Sequence, residues 1–532
     1  IAVLLSTLVG GCNAVSDNCE TTVSCPDGTS GSSSMSGKSG ASGSSGSSGT
    51  AGSEGESGAP GGGADQGGAS GKGGASSAGA ANNGGDGGAS GAGGSSTTPC
   101  DTSKSPREEG CLVSDEFAVF VAPTGKDTNA GTQGAPYATL TKAVSAAGDL
   151  PILVCDATYD EHVSITKGAR IFGGFKCSNW AVEASKPLFK LTTAGPALKI
   201  YSVAAAVVID GVGFQVGDAE IMGGSSLAAI VNKAPKVTLR GVSLTAGKGK
   251  SGSDGSLSPF PFPEIASLNG HPENPAKAGG DENECLCQAG LKSIGGLGGP
   301  PSSSGLNGAR GLPDLGAGLG GDPAPNDCGG GSSGKKGSDA AAQSAALGAS
   351  AWGAIVGDAW VPAAGNDGAN GQPGQGGGGG ASLNSSGHGG GGVCGGCGGT
   401  GGTAGKGGGA SIALLAIGSP VVLEGSLLAA ADAANGGRGA AGQTGQQQVG
   451  VGGTTVSALN SCPGGVGGKG GAGGAGGGGA GGISVGVLWK GSMPSVGADT
   501  TISLGKAGAQ GIGGLSGTND GVTGVAQKLL TL

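Results

Sequence analysis

Glycine is placed in this chain so that an ordinary hydrophobic core is excluded over most of its length. Of 532 residues, 129 are Gly, and they gather in tracts such as GGGGG at 376–380 and the run at 387–409. Glycine loses more backbone freedom on ordering than any other residue and has no side chain to bury. With only 8 Phe, 4 Trp and 3 Tyr, a conventional large enzyme core is not expected. Collagen is excluded as well, because Gly keeps no strict three-residue period through the chain and Pro is not enriched. The charge balance narrows the partners. With 28 basic and 37 acidic residues, and basic residues scattered singly as at Lys248, Lys250, Lys406 and Lys469, there is no footprint for nucleic acid and no polybasic membrane patch.

The N-terminal run IAVLLSTLV is too short to span a bilayer but suits the core of a signal peptide, and Gly10, Gly11 and Cys12 follow at once. VGGC resembles the lipobox of bacterial lipoproteins, in which the Cys is lipidated and becomes the mature N-terminus. The resemblance implies that 1–12 is the end of a signal peptide, that Cys12 carries lipid, and that Asn13 directs the protein to the outer membrane. Twelve of the 13 Cys then remain, an even number able to form six disulfides in an oxidising compartment. From 27 to 99 there is no Val, Ile, Leu or aromatic residue, so 13–99 is expected to be a flexible tether.

A folded body is expected from Cys100. AVFVAPTGKDTNAGTQGAPYATLTKAVSAA at 118–147 gives a short strand, a turn-rich segment and an amphipathic helical turn with Leu140, Ala143, Val144 and Ala147 on one face. The motif residues are Pro123, Gly125, Asp127, Asn129, Gly131 and Thr132, then Pro136, Tyr137, Thr139, Leu140 and Ala143. They resemble the opening module of bacterial right-handed parallel β-helix proteins of the pectate-lyase-like class. The resemblance implies that the helix caps the N-terminal end of the solenoid.

Internal repetition points the same way. VVIDGVGF at 207–214, VTLRGVSL at 237–244 and VVLEGSLL at 421–428 place Gly211, Gly241 and Gly425 alike, with TTISLG at 500–505 as a looser copy. Each follows another apolar run, at 198–203, 227–231, 411–417 and 483–489. Such a unit must stack on its neighbours to bury both strand faces. The expected fold is therefore all-β: a right-handed parallel β-helix with a short N-terminal capping helix and long Gly-rich loops. The opening module and first coils occupy 100–245, a Gly-rich insertion 246–409, and further coils 410–532 with a second insertion at 435–482. Cys155 and Cys177, about one coil apart, are candidates for a disulfide between adjacent coils.

Two arrangements of the Gly tracts stay open. They are either irregular loops pinned by Cys285, Cys287, Cys328, Cys394, Cys397 and Cys462, or bundled polyproline-II-like threads in which only Gly allows close approach. In both, WGAIVGDAWV at 352–361 lies against the core. Cys394 and Cys397 are expected to form a structural disulfide or turn staple, since CGGC lacks the βαβ context of a redox motif.

Catalytic, metal and cofactor sites are not expected. In a chain this rich in Gly, G-x-G-x-x-G arises about seven times by chance and carries no weight. His162, His271 and His388 belong to no nucleophilic triad. Gly387-His388-Gly389 resembles a motif of β-helical polygalacturonases, but their paired Asp and Arg-x-Lys motifs are missing. Asp210 with Arg240, stacked if the repeat register holds, comes nearest to a polysaccharide-lyase site and reads as a coil-surface ion pair. The acidic run DENE at 281–284 reads as solvated.

The expected function is a non-enzymatic, lipid-anchored protein of the outer membrane or cell surface, with a structural or adhesive role in envelope contact. Its partners would be the membrane, through the anchor, and extracellular polysaccharide or other surface proteins. The alternative is a carbohydrate-active β-helix or glycan-binding module. In style the chain is similar to Gly-rich surface lipoproteins of myxobacteria, which are labelled after the Gly-rich repeats of mycobacterial surface proteins.

Overall fold

The computed structural model describes residues 100–532 apart from 275, 277, 278, 303–305, 324–326, 329, 330 and 456–459. The lipobox Cys12 and the 13–99 segment lie outside the described residues. The body is a right-handed parallel β-helix whose coils contribute one strand to each of three sheets. The first sheet holds, among others, Ile152–Cys155, Val207–Asp210, Val237–Arg240 and Val421–Glu424. The second holds Gly213–Gln215, Ser243–Thr245, Leu427–Ala429 and Thr501–Ser503, and the third Leu198–Tyr201, Ser226–Asn232, Ser411–Ile417, Ser484–Lys490 and Ala526–Thr531.

Like residues stack on like. Val207, Val237 and Val421 are in register, as are Ile209, Leu239 and Leu423, and all six are buried. Gly211, Gly241 and Gly425 have φ of 69°, 56° and 53°, the left-handed conformation that turns each chain from the first sheet into the second. The 500–505 segment departs from the expected repeat. Ile502 pairs with Leu428 in the second sheet, so it continues the strand after the bend, and Ser495–Val496 takes the place in the first sheet. Within the core Tyr159, Phe189 and Phe214 form a stack with ring centroids 4.8 and 5.4 Å apart.

The opening motif is explained by its hydrogen bonds. Asp127 accepts from the amides of Ala138 and Thr139 and from the Thr139 hydroxyl, and the Asn129 side chain donates to the Pro136 carbonyl. A side chain at Gly125 would meet the Pro136 and Tyr137 carbonyls. Thr139 caps the helix Leu140–Ala146 by accepting from the Lys142 amide, and Leu140, Ala143 and Val144 turn into the end of the core.

The Gly-rich segments all leave from one corner, the connection from the second sheet to the third. That corner takes 160–162 in the first coil, then 191–197, 216–225, 246–410, 430–483 and 504–525 in succession. The coils are thus continuous with the tracts, and the strand register carries on into them. Gly249, Gly252 and Gly255 donate to Asp432, Asn435 and Arg438; Ala433, Gly436 and Gly439 donate in turn to Lys506, Ala509 and Ile512. Returning segments run antiparallel to outgoing ones, as in the 3.1, 2.8, 2.8 and 2.9 Å bonds from Gly365, Gly368, Gly371 and Gly374 to Gly405, Gly402, Gly399 and Gly396. Bonding to one neighbour at every third residue is the signature of a threefold extended helix. The tracts are therefore bundled threads, and the irregular-loop alternative is set aside. Added Cβ atoms at the inward glycines would strike neighbouring carbonyls, as at Gly402 against Ala440.

The hairpin Gly353–Val356 and Ala359–Pro362 closes over the outer face of the third sheet. Trp360 packs there with Leu227, Ile230, Ile412 and Leu415, so the 352–361 island lies on the body as expected. Asp358, beside the left-handed Gly357 of the turn, is bound by Lys199 and Asn232 of the sheet at 2.8 and 2.5 Å.

Candidate functional site

The strongest constraint on function is the surface that the threads generate. A threefold helix repeats its direction every third residue, so every thread can devote one direction to side chains. In 462–478 those positions are Pro463, Val466, Lys469, Ala472 and Ala475, which are exposed or partly exposed while most of the intervening glycines are buried. On a neighbouring thread Asn435, Arg438, Ala441, Thr444 and Gln447 form an exposed column with the same step. The bundle is a backbone lattice that displays side chains at regular intervals.

Polar side chains complete the lattice by bonding to the backbone of an adjoining thread. Gln443 accepts from the Phe260 and Thr400 amides and donates to the Phe260 carbonyl. Gln446 accepts from the Cys397 amide and donates to the Pro263 carbonyl. Each primary amide thus replaces a peptide group. Asp432 accepts from the Lys506 amide, Asp254 from Arg438 and Asp339 from Lys469, at 2.7–2.9 Å. The Lys469 amide holds the Asp339 carboxyl below its ordinary range. Acidic residues in the Gly tracts therefore serve as backbone acceptors.

A row of serines seals the seam where threads leave the sheets. Ser226, Ser411 and Ser484 are in register and fully buried. Ser411 Oγ donates to the Gly247 carbonyl and accepts from the Ala431 amide; Ser226 and Ser484 make the equivalent pairs to Gly217 and Gly247, and to Ala431 and Gly505. Sequence reasoning missed this row, although Ser226 precedes, Ser411 opens and Ser484 stands second in three of the apolar runs.

Ten cysteines form five disulfides among the described residues. Cys155 and Cys177 join adjacent coils. Cys100 pairs with Cys111, and Cys328 with Cys462. The expected Cys394–Cys397 staple is corrected: Cys394 is bonded to Cys285 and Cys397 to Cys287. On a threefold thread, residues three apart face the same way but stand about 9 Å apart, beyond disulfide reach. They serve instead as two rivets to the hairpin strand Asn283–Leu286 and the residue after it.

The repeat register does stack Arg240 on Asp210, and Asp210 lies 3.6 Å from both Arg107 and Arg240, while Arg240 meets Glu424 at 2.9 Å. Burial raises the Asp210 pKa above the ordinary carboxylate value, with the two guanidinium groups opposing it. Glu284 of the acidic run pairs with Lys292, and Asn283 is buried, donating to the Ser267 and Asn269 carbonyls. His162 meets the Pro196 carbonyl, and the His388 amide donates to Ser461. Among the described residues one set of possible metal ligands converges, Cys100, Glu109 and Cys111, and its two cysteines are bonded to each other.

Coils and threads together define a parallel β-helix protein with one corner drawn out into a glycine-thread bundle. The family described as a protein of unknown function, DUF1565, matches residues 123–172, which run from the turn-rich part of the opening module through the first coil to the start of the strand Ala169–Phe175. No curated protein and no solved structure matches the chain.

Proposed function

We propose that this is a non-enzymatic surface lipoprotein, anchored through Cys12 at the outer membrane, whose rigid body mediates structural or adhesive contact with the envelope or its surroundings. The supporting observation is the thread bundle, a hydrogen-bonded backbone lattice that presents side chains at a fixed step. Five disulfides suit an oxidising compartment. The similarity of VGGC to a lipobox, and of the Gly-rich style to myxobacterial surface lipoproteins, adds the anchor and the location.

Two measurements test the proposal. Mass spectrometry of the mature N-terminus should find a lipid-modified Cys12; an unmodified Cys12 or cleavage elsewhere removes the anchor. Cells displaying the full chain should adhere to surfaces or to one another more than cells lacking it, and purified protein should release no new reducing or unsaturated ends from polysaccharides. Release of such ends would favour the carbohydrate-active alternative, for which Asp210 between Arg107 and Arg240 is the nearest arrangement.

A further inference from the structure

The threads that start at the second sheet end far from it. From Ala429, the last residue of its strand, the chain climbs to Thr444, on the order of 45 Å at the rise of a threefold helix. There the 444–448 segment meets the 262–265 segment around an open surface cavity of about 520 Å³, lined mainly by exposed side chains. One side is apolar, with Phe262, Pro263 and Ile265; the other has Thr444, Gln447 and Gln448, with Glu264 beside them. Phe262 is set against Phe260 with ring centroids 6.1 Å apart and planes at 69°. The floor is rigid, because Gln446 is bonded to both the Cys397 amide and the Pro263 carbonyl.

Several polar groups of this cavity are not consumed by the fold. Gln447 donates to the Gly445 and Gly470 carbonyls, which leaves only its side-chain oxygen available, and the side chains of Glu264 and Gln448 have no hydrogen-bond partner among the described residues. No Lys or Arg lines the cavity. An acidic ligand would face the Glu264 carboxylate with no counter-charge. A neutral polyhydroxylated ring fits the set: its C–H face covers an aromatic side chain, the Gln448 amide supplies both donor and acceptor to adjacent hydroxyls, and the Gln447 oxygen adds an acceptor.

We propose that this cavity at the far end of the thread bundle binds a neutral saccharide. The inference rests on the adhesive reading, and names its ligand class and place. Isothermal titration of the purified full chain with neutral oligosaccharides (glucans, mannans, galactans) and with uronate-containing ones tests it. Neutral ligands should bind and uronates should not. Phe262→Ala and Gln448→Ala should each weaken binding about tenfold or more, with unchanged circular dichroism and thermal midpoint. Glu264→Gln should admit uronates while retaining neutral binding, a change of selectivity that a structural role would not produce. Neutral binding undiminished in both the Phe262 and Gln448 variants, preference for uronates or proline-rich peptides in the parent, or no saccharide binding at all would each overturn the proposal. Cell adhesion is scored separately with the same variants, so adhesion that survives loss of the cavity leaves the adhesive reading standing while this one falls.

Discussion

Gly402 donates its amide to the Gly474 carbonyl at 3.0 Å, and a methyl group on Gly402 would collide with the carbonyl of Ala440 on the next thread. Both neighbours therefore approach one residue, and only hydrogen can occupy the third direction. Gly402→Ala is expected to cost about 1–3 kcal/mol, the range for overpacking a filled interior. Lys469→Ala, on an outward direction of the adjoining thread, should stay within about 0.5 kcal/mol. Hydrogen exchange at Gly399 and Gly402, with denaturant unfolding of both variants, measures the contrast. Equal effects would contradict the threefold packing.

The paired rivets make a prediction of non-additivity. Cys285–Cys394 and Cys287–Cys397 close nearly the same loop, with sequence separations of 109 and 110. A loop of that length corresponds to about 5 kcal/mol in the chain-entropy account, but the small ring added by the second bridge corresponds to only about 2 kcal/mol. Replacing either pair with Ser should therefore lower stability modestly. Replacing both should lower it by clearly more than twice the single loss. Thermal midpoints of the two single-pair variants and the four-Cys variant provide the comparison.

Much of the solenoid was legible because its signals are local or repeat at one-coil spacing. The Asp127 and Asn129 turn bonds are encoded within a short span, and Val207, Val237 and Val421 repeat with their glycines. The thread lattice was harder to read. Its period is present at Pro463, Val466, Lys469, Ala472 and Ala475, and again at Cys394, Cys397, Thr400, Thr403 and Lys406. It is local, however, and surrounding glycine makes every period look available, so a chain-wide search for a three-residue repeat passes over it. Partners were less legible still. Nothing near Gln446 indicates that it will bond Pro263 across 183 residues of sequence; that pairing follows from the coil register carried outward along two threads. The charged ladder was foreseen as Asp210 with Arg240, but Arg107 reaches it from the segment closed by Cys100–Cys111, outside the repeat.

Acid should loosen the hairpin before the coils. Lys199, and after it Asn232, hold the Asp358 carboxyl below its ordinary range. A carboxylate whose folded-state pKa is depressed contributes stability that is present above its unfolded value, about 3.9, and is lost as pH falls through the folded one. Hydrogen exchange in 353–362 should therefore rise as pH is lowered below the ordinary carboxylate range, after correction for intrinsic rates. In Asp358→Asn that pH dependence should disappear, with exchange raised already at neutral pH. A hairpin equally protected at pH 3 and pH 7 in the parent would show that the apolar contacts of Trp360 suffice alone.

The serine seam should be the point at which threads and sheets come apart. Ser411 has no exposure to solvent, and its hydroxyl serves the Gly247 carbonyl and the Ala431 amide at 2.7 and 2.8 Å. Those two groups sit where the outgoing chain leaves the second sheet and stops pairing as a strand. Ser411→Ala keeps the volume nearly constant but leaves a buried acceptor and a buried donor unmatched, a cost of about 1–3 kcal/mol for each such group. Ser411→Cys preserves shape with a weak donor and should fall between the two. The loss should appear as faster exchange at Gly249 and Ala433, the first inter-thread donors beyond the seam, while Val237 and Val421 inside the coil keep their protection. If the coil amides lost protection to the same degree as the thread amides, the seam would not be a separable joint, and the bundle would unfold with the solenoid as one unit.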